Sequence, residues 1–168
     1  MRKYLIISLL LFLSIGYTQQ LPINEVISER HPNGLKKLVN VFQGSGINET
    51  LIGKYGFYDS GLKSFIILYK QNKKHGKCTY WNEKGEKIKE GNYNMGQMDG
   101  LWTYRYDNGN IKFEGLFSNG DESDPDGFDI PQNGRNGKSS YWYENGQKYW
   151  EGTFKDGIEY GLFIGWYV

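Results

Sequence analysis

The sequence predicts an all-β protein, an elongated single-layer antiparallel sheet of tandem β-hairpins. One unit recurs with fixed internal spacing. Gly100, Tyr104, Gly109, Glu114, Gly115, Phe117 and Gly120 are preceded by Gly76, Tyr80, Gly85, Glu90, Gly91, Tyr93 and Gly96, 24 positions earlier (100 minus 76). They are followed by Gly137, Tyr141, Gly146, Glu151, Gly152, Phe154 and Gly157, 37 positions later (137 minus 100). A fixed period of this size marks a repeat architecture. The composition agrees: 23 glycines, 17% aromatic residues and no alanine favour short strands joined by glycine turns over helices.

Each unit reads as a hairpin because a turn signal sits at its centre. Asn108-Gly109 suits a two-residue type I′ loop, which needs φ > 0 at both positions. Lys84-Gly85, Asn145-Gly146, Ser60-Gly61 and Asn33-Gly34 occupy the same place. With that loop, Tyr106 faces Ile111, Tyr104 faces Phe113 and Trp102 faces Gly115 on one side of the ribbon. Thr103 with Glu114 and Arg105 with Lys112 lie on the other. The same register pairs Tyr141 with Trp150, Ser139 with Gly152 and Ser140 with Glu151. In the earlier unit it pairs Tyr80 with Lys89, Cys78 with Gly91 and Thr79 with Glu90. Each of these three units thus sets a hydroxyl opposite a glutamate on one face and a tyrosine beside a glycine on the other. Gly115 is expected beneath or beside Trp102, and Gly152 next to Tyr141 and Trp150. A lone hairpin is marginal in water, so the units must join into one sheet.

Taken in order, residues 1–18 read as a secretory signal peptide. Arg2 and Lys3 form its basic start, Tyr4 to Ile15 its apolar core, and Gly16-Tyr17-Thr18 a small-residue cleavage site. The apolar run is shorter than the roughly 20 residues of a comfortable membrane span. Export, to the periplasm or the exterior, is the expectation. Residues 19–168 form the repeat domain, with units at about 27–51, 52–75, 76–99, 100–136 and 137–160 and a partial unit at 161–168. The first unit is degenerate, as terminal repeats often are. The second carries Phe65-Ile66-Ile67-Leu68, an apolar run expected to be buried on both faces. The fourth contains an acidic, turn-rich insertion at 121–136, expected to be a surface loop that tolerates shortening.

The net charge of +1 becomes about −1 once Arg2 and Lys3 are removed (+1 minus 2), which is no footprint for nucleic acid. Cys78 is the only cysteine. No intrachain disulfide is possible, and Cys78 reads as a small residue on the ring-bearing face.

Three constellations have the residue types of a site. Glu122, Asp124, Asp126 and Gly127 resemble the first half of a calcium loop, but Asn133 stands where the bidentate glutamate belongs. Glu90, Glu114 and Glu151 recur as a ladder paired with hydroxyls rather than as the asymmetric pair of a hydrolase. His31 and His75 lie in different units, without a ligand partner at metal spacing. No catalytic, cofactor-binding or metal-binding residue is therefore expected. Exposed aromatic residues commonly mark binding surfaces. Trp81 and Trp142 fall on the hydroxyl–glutamate face and, with Arg105 and Tyr149, form the expected contact surface.

Gly100, Trp102, Tyr104, Asn108, Gly109, Glu114, Gly115, Phe117 and Gly120 together resemble the MORN repeat, and more closely its bacterial variant. Gly137 to Gly157 carries the pattern with Ser139 in place of the tryptophan, and Gly76 to Gly96 carries it with Cys78 there. The resemblance covers residues 76–161 and is weak over 27–75. It implies a twisted antiparallel sheet of hairpins and a non-catalytic role in protein–protein contact or scaffolding, with membrane-lipid contact proposed for some members. Bacterial variants are often labelled antitoxin components. The leading expectation is an exported protein that binds another protein. A cell-surface glycan binder is the alternative, because repeated Gly-Trp and Tyr-Tyr hairpins are similar to cell-wall-binding repeats. An immunity or antitoxin partner of a toxin is the third.

Overall fold

The computed structural model describes residues 20–121 and 130–167. The segment read as a signal peptide and the calcium-like half-loop lie outside the described residues. Twelve strands form one antiparallel sheet. They are β1 (Ile23–Arg30), β2 (Lys36–Gln43), β3 (Thr50–Phe57), β4 (Lys63–Lys70), β5 (Lys73–Trp81), β6 (Lys87–Asn94), β7 (Gln97–Arg105), β8 (Ile111–Gly120), β9 (Arg135–Trp142), β10 (Lys148–Lys155), β11 (Ile158–Glu159) and β12 (Ile164–Gly165). Spatial order follows chain order from β1 to β11, and β12 pairs with β10 beyond β11. The sheet is an open meander. The only helical piece among the described residues is one short 3-10 turn at Gly46–Asn48.

The inner register is the expected one. Trp102 pairs with Gly115, Thr103 with Glu114 and Tyr104 with Phe113. Cys78 pairs with Gly91, Thr79 with Glu90 and Tyr80 with Lys89. Tyr141 pairs with Trp150, Ser140 with Glu151 and Ser139 with Gly152.

The turns differ from expectation. The Gly109 amide donates to the Tyr106 carbonyl, and the Tyr106 amide donates to the Asn110 carbonyl, each at 2.9 Å. Gly109 has φ of +86°, whereas Asn108 stays on the negative side. This is a three-residue loop, a type I turn closed by a left-handed glycine, so Tyr106 meets Asn110 rather than Ile111. Arg105 consequently pairs with Ile111, not Lys112. Lys112 is left as a bulge. The longer turn shifts the register by one residue and the bulge shifts it back, which is why the inner pairs survive. The Asn108 side chain accepts from the Asn110 amide at 2.9 Å, and Asn145 does the same for Gln147 at 2.9 Å. That bond explains asparagine before the glycine. Type I′ geometry occurs at the opposite ends of the strands, at Gln71-Asn72, Met95-Gly96 and Asp156-Gly157, where both residues have positive φ.

The core is one layer of rings, packed chiefly between adjacent strands. Trp102, Phe113, Met98 and Cys78 are fully buried, with Tyr93, Tyr104, Phe117 and Ile67 beside them. Gly115 pairs with Trp102 as expected, but the seat of the indole itself is Gly91. A side chain added at Gly91 would run into the Trp102 indole, and one added at Gly115 would meet the Phe113 ring and the Ser139 hydroxyl. Gly152 lies under Phe163, whose ring packs against Trp150 at 5.3 Å. The indole leans back over β6 because its buried Nε1 needs an acceptor, which it finds 3.1 Å away at the Asn92 carbonyl. The apolar run in β4 is not buried on both faces: only Ile67 is buried, and Leu68 is exposed.

The end of the insertion also departs from a surface loop. Ile130 packs on the ring cluster, Pro131 is buried, and β9 begins at Arg135, itself buried. Asn133 bonds to Asp121 across the base of the insertion. Deleting thirteen residues to restore the period would remove part of the core.

Candidate functional site

Trp81, Arg105 and Trp142 of the expected contact surface occupy equivalent positions, opposite Lys87, Ile111 and Lys148, whereas Tyr149 sits apart in a bulge. Trp142 lies on the glutamate face, with the Lys148 ammonium 5.3 Å from its ring centre. The same ammonium is bonded to Glu151 at 2.6 Å and stands 5.8 Å from the Trp166 ring. Trp81 is half-buried and pairs with Lys87. Arg105 turns onto its own loop and donates to the Gly109 carbonyl at 3.3 Å. Tyr149 occupies the bulge of β10, between Lys148 and Trp150, and lines a cavity with ring-face residues.

The glutamates are held structurally. Thr103 donates to Glu114 at 3.4 Å, and Ser140 to Glu151 at 3.5 Å. Lys77 and Lys87 flank Glu90 at 3.3 and 3.2 Å, while Lys138 and Lys148 flank Glu151 at 2.9 and 2.6 Å. Bonds from Lys138 and then Lys148, against a smaller opposing effect of burial, bring the Glu151 carboxyl down to about 2. Burial pushes Glu90 up, but bonds from Lys87 and Lys77 outweigh it and leave the carboxyl lowered. The histidines bridge strands: His31 Nε2 is 2.8 Å from the Phe57 carbonyl, and the Met95 amide donates to His75 at 3.4 Å. Among the described residues, no group of three or more His, Cys, Asp or Glu could hold a metal ion.

An open, shallow cavity of about 290 Å³ lies at the C-terminal end of the ring-bearing face, lined by Gln132, Arg135, Tyr141, Tyr149, Trp150, Phe154 and Glu159. Arg135 is 4% exposed. Its Nε donates to the Pro131 carbonyl at 2.9 Å and its Nη2 to the Tyr141 hydroxyl at 2.7 Å. The guanidinium lies 5.1 Å from the Phe113 and Phe154 rings and 5.6 Å from that of Tyr141. Among the described residues no carboxylate pairs with it.

Sequence reading missed Arg135 because the insertion, read as running through residue 136, hides the repeat position that Arg135 occupies. Counting back from the unit glycines would have found it. Lys74, Met98 and Arg135 each stand two residues before Gly76, Gly100 and Gly137. The Gly96 amide bonds the Lys74 carbonyl at 2.7 Å just as the Gly157 amide bonds that of Arg135 at 2.8 Å. Lys74 lies 4.9 Å from the Tyr93 ring, as Arg135 does over the equivalent Phe154. A long side chain across a ring is therefore a feature of the unit, and the last unit places an arginine there.

No protein-family model, curated protein or solved structure matches the chain.

Proposed function

We propose that the chain is an exported, non-catalytic repeat protein that binds another protein, acting as a contact or scaffold module. The observation that supports this best is the C-terminal edge. Ile158, Tyr160 and Leu162 are 73%, 64% and 76% exposed on a margin where pairing is broken between β11 and β12. An open apolar strand edge is a liability unless something covers it, and edge addition is a common mode of protein recognition. The N-terminal edge is protected differently: Glu25 and Glu29 of β1 pair with Lys36 and Lys37 at 3.9 and 3.0 Å. The MORN resemblance of residues 76–161 points the same way, and the reading of residues 1–18 supports export. No helix among the described residues is long and apolar enough to cross a membrane.

A photo-crosslinking residue at Leu162, compared with one at Glu29, tests this in the native host. A discrete adduct with another protein is expected at Leu162 alone. Adducts absent from Leu162, or equal at both positions, would refute the reading. The glycan-binding alternative draws on Trp142 and Trp166 flanking Lys148 on the glutamate face, with Trp166 39% exposed. Retention on cell-wall polysaccharide that is lost in Trp142→Ala would favour it.

A further inference from the structure

The cavity beside Arg135 combines features that a purely structural arginine does not need. A guanidinium carries five N–H donors. Here Nε and Nη2 are engaged by Pro131 and Tyr141. Nη1 has no hydrogen-bond partner among the described residues, and it is not one of the sealed, unpartnered buried atoms. Arg135 is one of the residues that line the cavity, and Nη1 is the guanidinium nitrogen left to meet a ligand there. A buried charge without a counter-charge is costly. Three ring faces around the guanidinium offset part of that cost, but they supply no hydrogen-bond acceptor. The vacant valence fits a carboxylate, the group that arginine recognises with the best geometry.

The walls narrow the class. Trp150 and Tyr149 offer ring surface, and Tyr149 is 48% exposed at the mouth. Glu159 lines the same cavity and is exposed, so a second carboxylate on the ligand would be repelled. Glu159 also belongs to β11, the open apolar edge. A chain laid along that edge would bring its side chains past Ile158 and Tyr160 to the mouth of the cavity.

We infer that this cavity takes a single carboxylate carried next to an aromatic or apolar side chain of a peptide. This inference rests on the protein-binding reading and gives it a specific anchor. The carboxylate comes either from a chain terminus or from an acidic side chain, and the shared chemistry is its bond to Arg135 Nη1 in a ring-walled pocket.

The test uses acetyl-phenylalanine, its amide acetyl-phenylalaninamide, acetyl-glutamyl-phenylalaninamide and glucuronate as probes against the purified protein. The readouts are titration calorimetry and the NMR signal of the Arg135 side-chain N–H. Fragments of this size bind in the millimolar range at best. Acetyl-phenylalanine is expected to move the Arg135 signal and to bind at least about tenfold more tightly than its amide, the loss a charge-assisted bond gives. The glutamyl probe separates the two sources of the carboxylate: binding equal to or tighter than that of acetyl-phenylalanine assigns the site to an acidic side chain, weaker binding to a chain terminus. Arg135→Met should abolish the preference for acid over amide. Should that variant fail to fold, Tyr149→Ala keeps the test alive, because it should weaken acid and amide alike while preserving their ratio. Equal binding of acid and amide overturns the carboxylate assignment. Binding of glucuronate without the peptide probes overturns the peptide class. An unmoved Arg135 signal with all four probes overturns the site itself and leaves the crosslinking result at Leu162 to stand or fall separately.

Discussion

The two faces of the sheet are made by the same strands and differ by one step in the alternation, yet they are built on opposite principles. On the ring face, Trp102, Phe113, Met98 and Cys78 are sealed from solvent, and glycines hold space for rings. On the glutamate face, Glu90 and Glu151 sit between pairs of lysines whose side chains are largely or partly exposed. The ring face stores its stability in shape, where buried area and packing count. The glutamate face relies on ion pairs, which contribute little when exposed and are screened by salt. In a sheet of one layer, one face must therefore supply most of the stability.

The largest effect should come from deleting the central ring. Trp102→Ala is expected to cost about 3–5 kcal/mol in urea unfolding, the range for a buried aromatic truncation. Gly91→Val follows at about 3 kcal/mol, the upper end for overpacking, because its side chain would occupy the indole's seat. Gly115→Val should be next, since the Phe113 ring and Ser139 hydroxyl over it must both shift. On the other face, Thr103→Val should cost only about 0.5–1.5 kcal/mol, one hydrogen bond. If Thr103→Val proves as damaging as Gly91→Val, the contrast between the faces is wrong.

Much of this contrast was legible in the sequence. The spacing of Gly100, Tyr104, Glu114 and Gly115 sufficed for the strands, the inner register and the facing of Thr103 and Glu114. The turn type was not legible, because Asn-Gly serves both a two-residue loop and a type I turn closed by a left-handed glycine. The lean of Trp102 towards Gly91 depended on a carbonyl in the preceding hairpin, which pairing rules do not supply. The place of Tyr149 was not legible because a bulge interrupts alternation at that residue, and Arg135 was hidden because the insertion, read as running through residue 136, includes its repeat position.

The smallest effect belongs to the ion pairs and is best seen by titration. Glu151 has its carboxyl lowered from 4.5 to about 2, so its contribution is complete above the unfolded value and lost as pH falls through the folded one. The stability difference between the protein and Glu151→Gln should be constant above pH 4.5 and vanish towards pH 2. High salt should shrink it at any pH. A difference that persists at pH 2 would mean that Glu151 acts through packing rather than charge.

At the type I turn edge, a side chain from four of the five loops reaches a backbone carbonyl of the next hairpin or of the C-terminal segment. His31 reaches Phe57, Tyr58 reaches Trp81 at 2.6 Å, Tyr106 reaches Trp142 at 2.8 Å, and Tyr143 reaches Trp166 at 3.4 Å. Burial, aided by neighbouring acids, holds the Tyr58 and Tyr106 hydroxyls above their ordinary pKa and so keeps them protonated as donors. At the equivalent position Asn82 folds back on its own loop, accepting from the Lys84 and Glu86 amides at 3.0 Å. The missing rivet falls between the β5–β6 and β7–β8 hairpins, where Trp102 crosses onto Gly91 and Lys89 lies over the Trp102 and Tyr104 rings. Coupling in such a chain passes only between neighbours. The strand ladders that join successive hairpins are thus reinforced along one rim, and at the joint beside Asn82 through the web of the sheet instead. Under tension along the row, load at that joint passes through the β6–β7 backbone ladder and the aromatic packing laid across it, while Asn82 stays turned back on its own loop at the rim.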